Sequence, residues 1–205
     1  MKHIGIFIEP TGSLATAIRS LKAEVERQLP GQKFCSHPPH STLIYGQYQE
    51  TKNWRGQLAV ALAALPIFRI ETREFGFFYD DALAGGGHTV VFKAVASPEI
   101  FELQKSCGDV LKLWRGSDET IARSGLLERE PFRSSFAEYG FPFVGPHWIP
   151  HFTIASLKVA KDASLLRAIS SGEAQHEFLL DRVSVWEIEG DSHTKLFEVP
   201  FGGTA

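Results

Sequence analysis

The sequence predicts an α+β protein built on antiparallel β-sheets. Segments typical of strands and helices occur in the order strand, helix, strand, helix, strand, strand, helix, and then strand, helix, strand, strand. This order lacks the regular strand–helix alternation of a doubly wound parallel sheet. In addition, two pairs of strand-like runs are joined directly by turns rich in Gly, Asp and Ser, at residues 80–87 and 189–192, as in β-hairpins.

Each predicted element follows from hydrophobic periodicity or from capping and turn residues. Strands are expected at residues 3–8, 41–45, 67–79, 89–96, 152–157, 178–188 and 195–199. Helices are expected at residues 13–29, 52–64, 97–114 and 162–169. Ser13 is the predicted N-cap of the first helix, and Ser97 followed by Pro98 is a specific start signal for the third. Residues 115–143 are expected to form a long connection with one helical turn.

Composition restricts the class of protein and its partners. The chain of 205 residues suffices for one domain or for two closely packed lobes, and 43% hydrophobic and 22% charged residues are ordinary for a globular protein. The formal net charge is −3 and the pI is about 6.2, which disfavours binding to long duplex DNA. A small nucleotide or an RNA end, which needs only a local positive site, remains possible.

No targeting or membrane segment is expected. The apolar run at the N-terminus is too short for a signal-peptide core, and no window approaches the roughly 20 apolar residues that a membrane helix requires. Cys35 and Cys107 are too few for a disulfide scaffold and are interpreted as reduced thiols. The sequence therefore predicts a cytoplasmic protein with no membrane association, and we expect a monomer.

Two segments share one pattern. Residues 39–44 (PHSTLI) and 150–155 (PHFTIA) both read P-H-x-T followed by apolar residues. Alternate residues of a strand project to the same face, so each histidine is expected to lie beside the threonine two positions later. If the two strands lie side by side, two imidazoles and two hydroxyl groups surround one cavity.

This set of groups is suited to phosphodiester cleavage. One of the two histidines, His40 or His151, would be a neutral imidazole and take a proton from the attacking hydroxyl or water. The other would be an imidazolium and protonate the leaving oxygen. The hydroxyl groups of Thr42 and Thr153 can donate hydrogen bonds to the non-bridging phosphate oxygens. The arrangement requires no metal and no cofactor.

The paired motifs resemble those of the two-histidine (2H) phosphoesterase superfamily, which includes bacterial RNA 2′,3′-cyclic phosphodiesterases (2′–5′ RNA ligase-like proteins) and plant cyclic-nucleotide phosphodiesterases. The resemblance covers most of the chain. It implies a single bilobal domain over residues 1–205, with two antiparallel sheets, outer helices and one H-x-T motif per lobe facing a central groove. It also implies that His40, Thr42, His151 and Thr153 form the catalytic tetrad of a hydrolase acting on a nucleotide or RNA end.

Several alternatives remain open. Either histidine could be structural, and His37-x-x-His40 or His147-x-x-x-His151 could suggest zinc, although prolines disfavour the helix that the second spacing needs. Tyr45 and Trp148 are candidate base-stacking residues, and packing in the core or at its rim is an alternative at least as strong for each. His193–Thr194 lacks the H-x-T spacing and is not interpreted as a third motif. His88 and His176 are expected at the surface or in turns.

The function also has alternatives. A protein of the same fold could bind nucleotide or RNA without useful catalysis, or it could join RNA ends through a 2′–5′ linkage by the reverse reaction. Tight nucleotide binding without turnover would indicate the first, and product analysis would identify the second. The base, the regiochemistry of the product and the direction of proton transfer are not determined by the pattern.

Overall fold

The computed structural model describes residues 1–49, 52–116, 125–190 and 192–202. Within these residues, eight strands form two four-stranded sheets in which all neighbouring strands are antiparallel. The strands are β1 (Lys2–Ile8), β2 (Ser41–Tyr48), β3 (Phe68–Asp81), β4 (Gly87–Ala94), β5 (His151–Leu157), β6 (His176–Leu180), β7 (Arg182–Glu189) and β8 (Ser192–Pro200). The first sheet has the order β2-β1-β7-β8, and the second has the order β5-β4-β3-β6. The predicted α+β class with two antiparallel sheets is confirmed.

Helices connect the strands of the two sheets. The α-helices in the described part of the chain are α1 (Gly12–Gln28), α2 (Lys52–Leu62), α3 (Pro98–Leu111), α4 (Phe132–Tyr139) and α5 (Ser164–Ser170). Short 3-10 turns lie at Ala82–Ala84, Lys112–Trp114 and Leu126–Glu128. None of these helices combines the length and the apolar character needed to cross a membrane.

Of the two predicted N-cap residues, Ser97 is confirmed and Ser13 is not. Ser97 caps α3 as predicted, because its hydroxyl accepts a hydrogen bond from the Ile100 backbone N–H at 3.4 Å. For α1 the prediction was wrong, since the N-cap is Thr11 and its side chain makes no capping bond. Ser13 lies inside the helix, where its hydroxyl is 3.0 Å from Nδ1 of His176 on the second sheet. A tertiary contact thus occupies the side chain that local spacing suggested as the cap.

The predicted strand at residues 178–188 is two strands in different sheets. β6 ends at Leu180, and β7 begins at Arg182. The chain leaves the second sheet for the first at Asp181, whose carbonyl accepts a hydrogen bond from Phe201 N–H at 2.8 Å. Apolar residues lie on both sides of Asp181 and Arg182, and this charged pair is the local sign that the strand-like run is interrupted.

The connection after α3 contains more helix than predicted. Its described part includes α4, which has eight residues rather than a single turn, while residues 117–124 lie outside the described residues. Gly140, in the left-handed conformation with φ of 72°, ends α4. Ser135 anchors the helix, because its buried hydroxyl donates to the Val144 carbonyl at 3.1 Å.

Helices α1 and α3 each follow a strand of one sheet and pack on the other sheet. α1 follows β1 of the first sheet but packs on β5 and β6 of the second, whereas α3 follows β4 of the second sheet and packs on β2 of the first. Gln104 of α3 is fully buried, and its side-chain amide donates to the carbonyls of Leu43 on β2 and Phe143. Each motif strand, β2 or β5, lies at the edge of its sheet, and these two edge strands contact each other.

Candidate active site

The first motif lies at the beginning of β2. Thr42 is opposite Phe7 of β1, next to a register shift between Ile6 and Phe7. His40 directly precedes the strand and is half-buried, with its ring stacked on that of Phe7 at a centroid distance of 4.1 Å. Nδ1 of His40 is 2.8 Å from the carbonyl oxygen of Pro38. The ring is therefore fixed both by packing and by a hydrogen bond.

The second motif repeats this arrangement in the other sheet. His151 is the first residue of β5, and its Nδ1 is 2.6 Å from the carbonyl oxygen of Ile149. Its ring meets that of Phe78 edge-on at a centroid distance of 5.0 Å. Along β4, Lys93 lies opposite His151 and Val91 lies opposite Thr153. In both motifs the imidazole is thus bonded to the carbonyl two residues earlier in the chain.

These hydrogen bonds determine the tautomer of each imidazole. A backbone carbonyl oxygen can only accept, so Nδ1 of His40 and of His151 must carry the hydrogen. When either ring is neutral, its Nε2 then holds the lone pair. Both histidines consequently present the same nitrogen as the one that can accept or release a proton.

Two further histidines lie close to His40. His193, near the start of β8, has its ring centroid 6.1 Å from that of His40 and 4.2 Å from that of His37. Its spacing from Thr194 gave no reason to include His193 among the predicted site residues. It belongs to the surroundings of the first motif because the β7–β8 hairpin places it opposite Ile188. No local signal could have identified this proximity.

The surroundings of His40 oppose its protonation. Burial lowers its pKa to about 3, against the effect of the bond to the Pro38 carbonyl, which favours the protonated form. The positive charges that His193, His37 and Lys22 can carry lower the pKa further. His40 is therefore held as a neutral imidazole near neutral pH.

The surroundings of His151 are different. Burial lowers its pKa as well, but both the bond to the Ile149 carbonyl and the negative charge of Asp81 act to raise it. Asp81 is held at the end of β3 by the hydroxyl of Thr89, which donates to its Oδ2 at 2.6 Å, and by the Leu83 N–H at 3.0 Å. Asp81 was not a candidate in the sequence, since it lies in a hairpin far from either motif.

The two aromatic candidates lie in different environments. Trp148 is 5% exposed and packs edge-on against Phe101, which favours the packing alternative, and its role in base stacking stays a prediction. Tyr45 is half-buried on β2, opposite Gly5, and its ring stacks on that of His3 at 5.9 Å. Its role in substrate binding stays a prediction.

The remaining histidines have structural contacts. His88 and His176 are buried, at 5% and 9% exposure, so the expectation that they lie at the surface was wrong. Nδ1 of His88 accepts a hydrogen bond from the Asp80 N–H at 3.2 Å. Nε2 of His147 lies 2.8 Å from the carbonyl oxygen of Pro142, to which it donates. Among the described residues, no group of three or more His, Cys, Asp or Glu is placed to hold a metal ion.

Comparisons with known proteins agree with this architecture. Residues 10–192 match the family described as the 2′-5′ RNA ligase superfamily. Among solved structures, TT0787 of Thermus thermophilus superposes with a TM-score of 0.63 at 16% identity, covering 99% of this chain and 100% of its own. Escherichia coli LigT in apo form and LigT complexed with 3′-AMP give TM-scores of 0.53 and 0.54 at 11% identity, each covering 98% of this chain and 97% of LigT. A comparison with curated proteins finds no significant match. Since the family match spans most of the sequence, the chain belongs to the 2′-5′ RNA ligase superfamily of two-histidine phosphoesterases.

Proposed function

We propose that this protein is a metal-independent phosphodiesterase that hydrolyses a 2′,3′-cyclic phosphate or a 2′–5′ phosphodiester of a nucleotide or RNA end. The observation that carries the proposal is the matched orientation of two imidazoles. His40 and His151 each bond a backbone carbonyl through Nδ1, and this leaves both Nε2 atoms for proton transfer. A structural histidine has no need of this repeated arrangement on two contacting edge strands.

The reaction follows from general acid–base chemistry. With a cyclic phosphate, one neutral imidazole accepts a proton from water at Nε2 as the water oxygen bonds to phosphorus. The bond from phosphorus to one ribose oxygen breaks, and the other histidine, as imidazolium, donates its Nε2 proton to that oxygen. The hydroxyl groups of Thr42 and Thr153 donate to the non-bridging oxygens, where negative charge increases in the transition state. The product is a ribose monophosphate with one free hydroxyl group.

The substrate class is supported by the relatives. E. coli LigT has been solved with 3′-AMP, a nucleotide with its phosphate on a ribose hydroxyl. A 3′-phosphate is one of the two products that opening of a 2′,3′-cyclic phosphate can yield. Tyr45 lies on the motif strand β2 and is half-buried. It is the candidate for contact with the base.

The decisive test is product analysis in the presence of EDTA. Nucleoside 2′,3′-cyclic phosphates, 2′–5′ oligoadenylate and 3′–5′ cyclic nucleotides are offered to the unaltered protein and to His40→Ala and His151→Ala. We expect one class to be cut by the unaltered protein and by neither variant. His147→Ala is the matched control, since it removes an imidazole that bonds the Pro142 carbonyl outside the pair. Turnover that requires an added divalent metal ion would contradict the metal-free mechanism.

RNA 2′–5′ ligation is the second candidate, favoured by the description of the family. In ligation the 5′-hydroxyl of a second RNA takes the place of water as the nucleophile at the cyclic phosphate. The same base can accept its proton, and the same acid can protonate the ribose oxygen that leaves phosphorus. Incubation of an RNA 2′,3′-cyclic phosphate with a 5′-hydroxyl RNA distinguishes the two reactions by the length of the product. Tight nucleotide binding without either product would instead indicate a binding protein.

A further inference from the structure

A cleft of about 730 Å³ lies beside the first motif, between α1 and the loop at residues 31–39. Its lining includes three cationic side chains and one carboxylate, together with an aromatic ring and an imidazole. These are Arg19, Lys22, Lys33, Glu26, Phe34 and His37. The excess of positive charge contrasts with the formal net charge of −3 for the whole chain. A cleft of this composition is suited to an anion.

The carboxylate in the cleft is already engaged. Both oxygens of Glu26 lie 3.2 Å from the backbone N–H of Gly31, which donates to them at the beginning of the loop. The negative charge therefore stabilises the loop at one end of the cleft. Glu26 keeps its charge, but the three cations outnumber it and leave the cleft with a positive balance.

Lys22 is an unusual residue for the floor of a surface cleft. It is only 6% exposed, and its ammonium group donates a hydrogen bond to the carbonyl of Phe34. Phe34 has φ of 71°, a left-handed conformation that is rare for a phenylalanine. An ammonium group has three N–H donors, and this carbonyl takes one. Burial lowers the pKa of Lys22 to about 8, and an anion bound beside it would favour the charged form.

The cleft adjoins the first motif along the chain. Pro39 lines the cleft, and the next residue is His40. His37 also lines it, and its ring lies 4.2 Å from that of His193, which in turn lies 6.1 Å from the ring of His40. A chain bound at the two histidines can thus extend into the cleft. Phe34, which meets His37 edge-on at 5.3 Å, offers a ring on which a base can stack.

We propose that this cleft binds the nucleotide on the 5′ side of the reacting one, with Arg19, Lys22 and Lys33 holding the phosphate that joins them. The inference rests on the proposed function, because a 2′,3′-cyclic phosphate ends an RNA chain and the rest of the chain must leave the site on the 5′ side. Each occupied phosphate position adds charge-assisted hydrogen bonds. The protein therefore selects RNA ends over mononucleotides.

The test compares two substrates and two variants. The substrates are adenosine 2′,3′-cyclic phosphate and an RNA trinucleotide that ends in a 2′,3′-cyclic phosphate. For the unaltered protein we expect kcat/KM to be about 10-fold higher for the trinucleotide, with a difference that decreases as salt is raised. The double variant Arg19→Gln/Lys33→Gln should lose this preference and keep its activity on the mononucleotide. Arg27→Gln is the matched control, since Arg27 is exposed on α1 and pairs with Glu24 outside the lining of the cleft.

The outcomes separate this inference from the proposed function. Equal kcat/KM for both substrates with the unaltered protein would overturn the cleft assignment and leave the hydrolase standing. A double variant that loses activity equally on both substrates would also overturn it. If neither substrate is cut, the hydrolase proposal fails, and binding of a 3′-phosphorylated RNA trinucleotide measured by fluorescence anisotropy still tests the cleft. In that measurement, equal affinity for the unaltered protein and the double variant would overturn the assignment.

Discussion

The two histidine motifs have the same local geometry but different charges around them. His40 and His151 each bond the carbonyl two residues earlier and each contact a phenylalanine ring from the neighbouring part of the sheet. His40 faces two further imidazoles and has Lys22 nearby, whereas His151 has the carboxylate of Asp81 in its surroundings. Repeated backbone geometry thus orients the rings, and the unequal charges give them different affinities for a proton.

This difference bears on the direction of proton transfer. Near neutral pH the surroundings of His40 favour the neutral ring, while Asp81 partly compensates for the burial of His151. A base must begin the reaction neutral, and an acid must begin it protonated. We therefore expect His40 to begin the reaction neutral, in the role of the base, and His151 to begin it protonated, in the role of the acid.

Removal of the imidazoles should have the largest effect. We expect His40→Ala and His151→Ala each to lower kcat by about 10³-fold, because each removes one of two proton transfers. The double variant should be little worse than the poorer single variant, since groups that act together are not additive. Single-turnover kinetics measures all three, and far-UV circular dichroism checks the fold. Additive losses would indicate that the histidines act independently.

Removal of the hydroxyl group of Thr42 or Thr153 should have the second-largest effect on kcat. Thr42→Val and Thr153→Val keep the shape of the side chain and remove one donor to the phosphate, so we expect a loss in kcat of about 10²-fold for each. Thr16→Val is the control, since its hydroxyl is exposed on α1 and bonds only the Gly12 carbonyl among the hydrogen bonds described. Unchanged kcat in either motif variant would contradict the role of that threonine.

Stability should also depend on pH differently at the two motifs. The pKa of His40 is lowered from its ordinary value to about 3 in the folded protein, so between pH 6.5 and 3 the unfolded chain binds a proton that the folded chain does not. The folded state loses stability as pH falls through this window. His40→Gln should remove about 2 kcal/mol of the decrease in unfolding free energy between pH 7 and pH 5.

Urea unfolding at the two pH values measures this difference. His151→Gln is the matched comparison, and its effect should be smaller, because Asp81 acts to raise the pKa of His151. An equal effect of the two glutamine variants would contradict the electrostatic contrast between the motifs.

The smallest predicted effect is a shift in the pH profile. Asp81→Asn keeps one oxygen that can accept from the Leu83 N–H, and its amide group can donate to the Thr89 hydroxyl oxygen, but it removes the negative charge. Without that charge the pKa of His151 falls, so the high-pH limb of kcat/KM should move to lower pH. Asp80→Asn is the control, because Asp80 is exposed and pairs with Lys161. If the low-pH limb moves to lower pH instead and the high-pH limb stays in place, His151 is the base and the roles assigned to the two histidines are reversed.

Local signals explain which elements were predictable. β1, the β3–β4 hairpin and the start of α3 at Ser97 and Pro98 were all visible, because periodicity and capping depend on neighbouring residues. The break at Asp181 was missed because apolar residues lie on both sides of it. The charged residues Asp181 and Arg182 interrupt the run, but they do not show that the two halves belong to separate sheets. The role of Trp148 could not be decided from the sequence for a related reason. An aromatic residue beside a motif is equally compatible with packing in the core and with contact to a substrate.

The sequence by itself determined the two P-H-x-T segments, the strands that carry them and the class of chemistry that such groups can perform. These depend on residue identity and on the two-residue repeat of a strand. Only the tertiary structure decided that β2 and β5 contact each other, that His193 and His37 lie beside His40, and that Asp81 lies near His151. Proton affinity depends on burial and on charges brought together from distant parts of the chain, and these distances exist only once the sheets have formed.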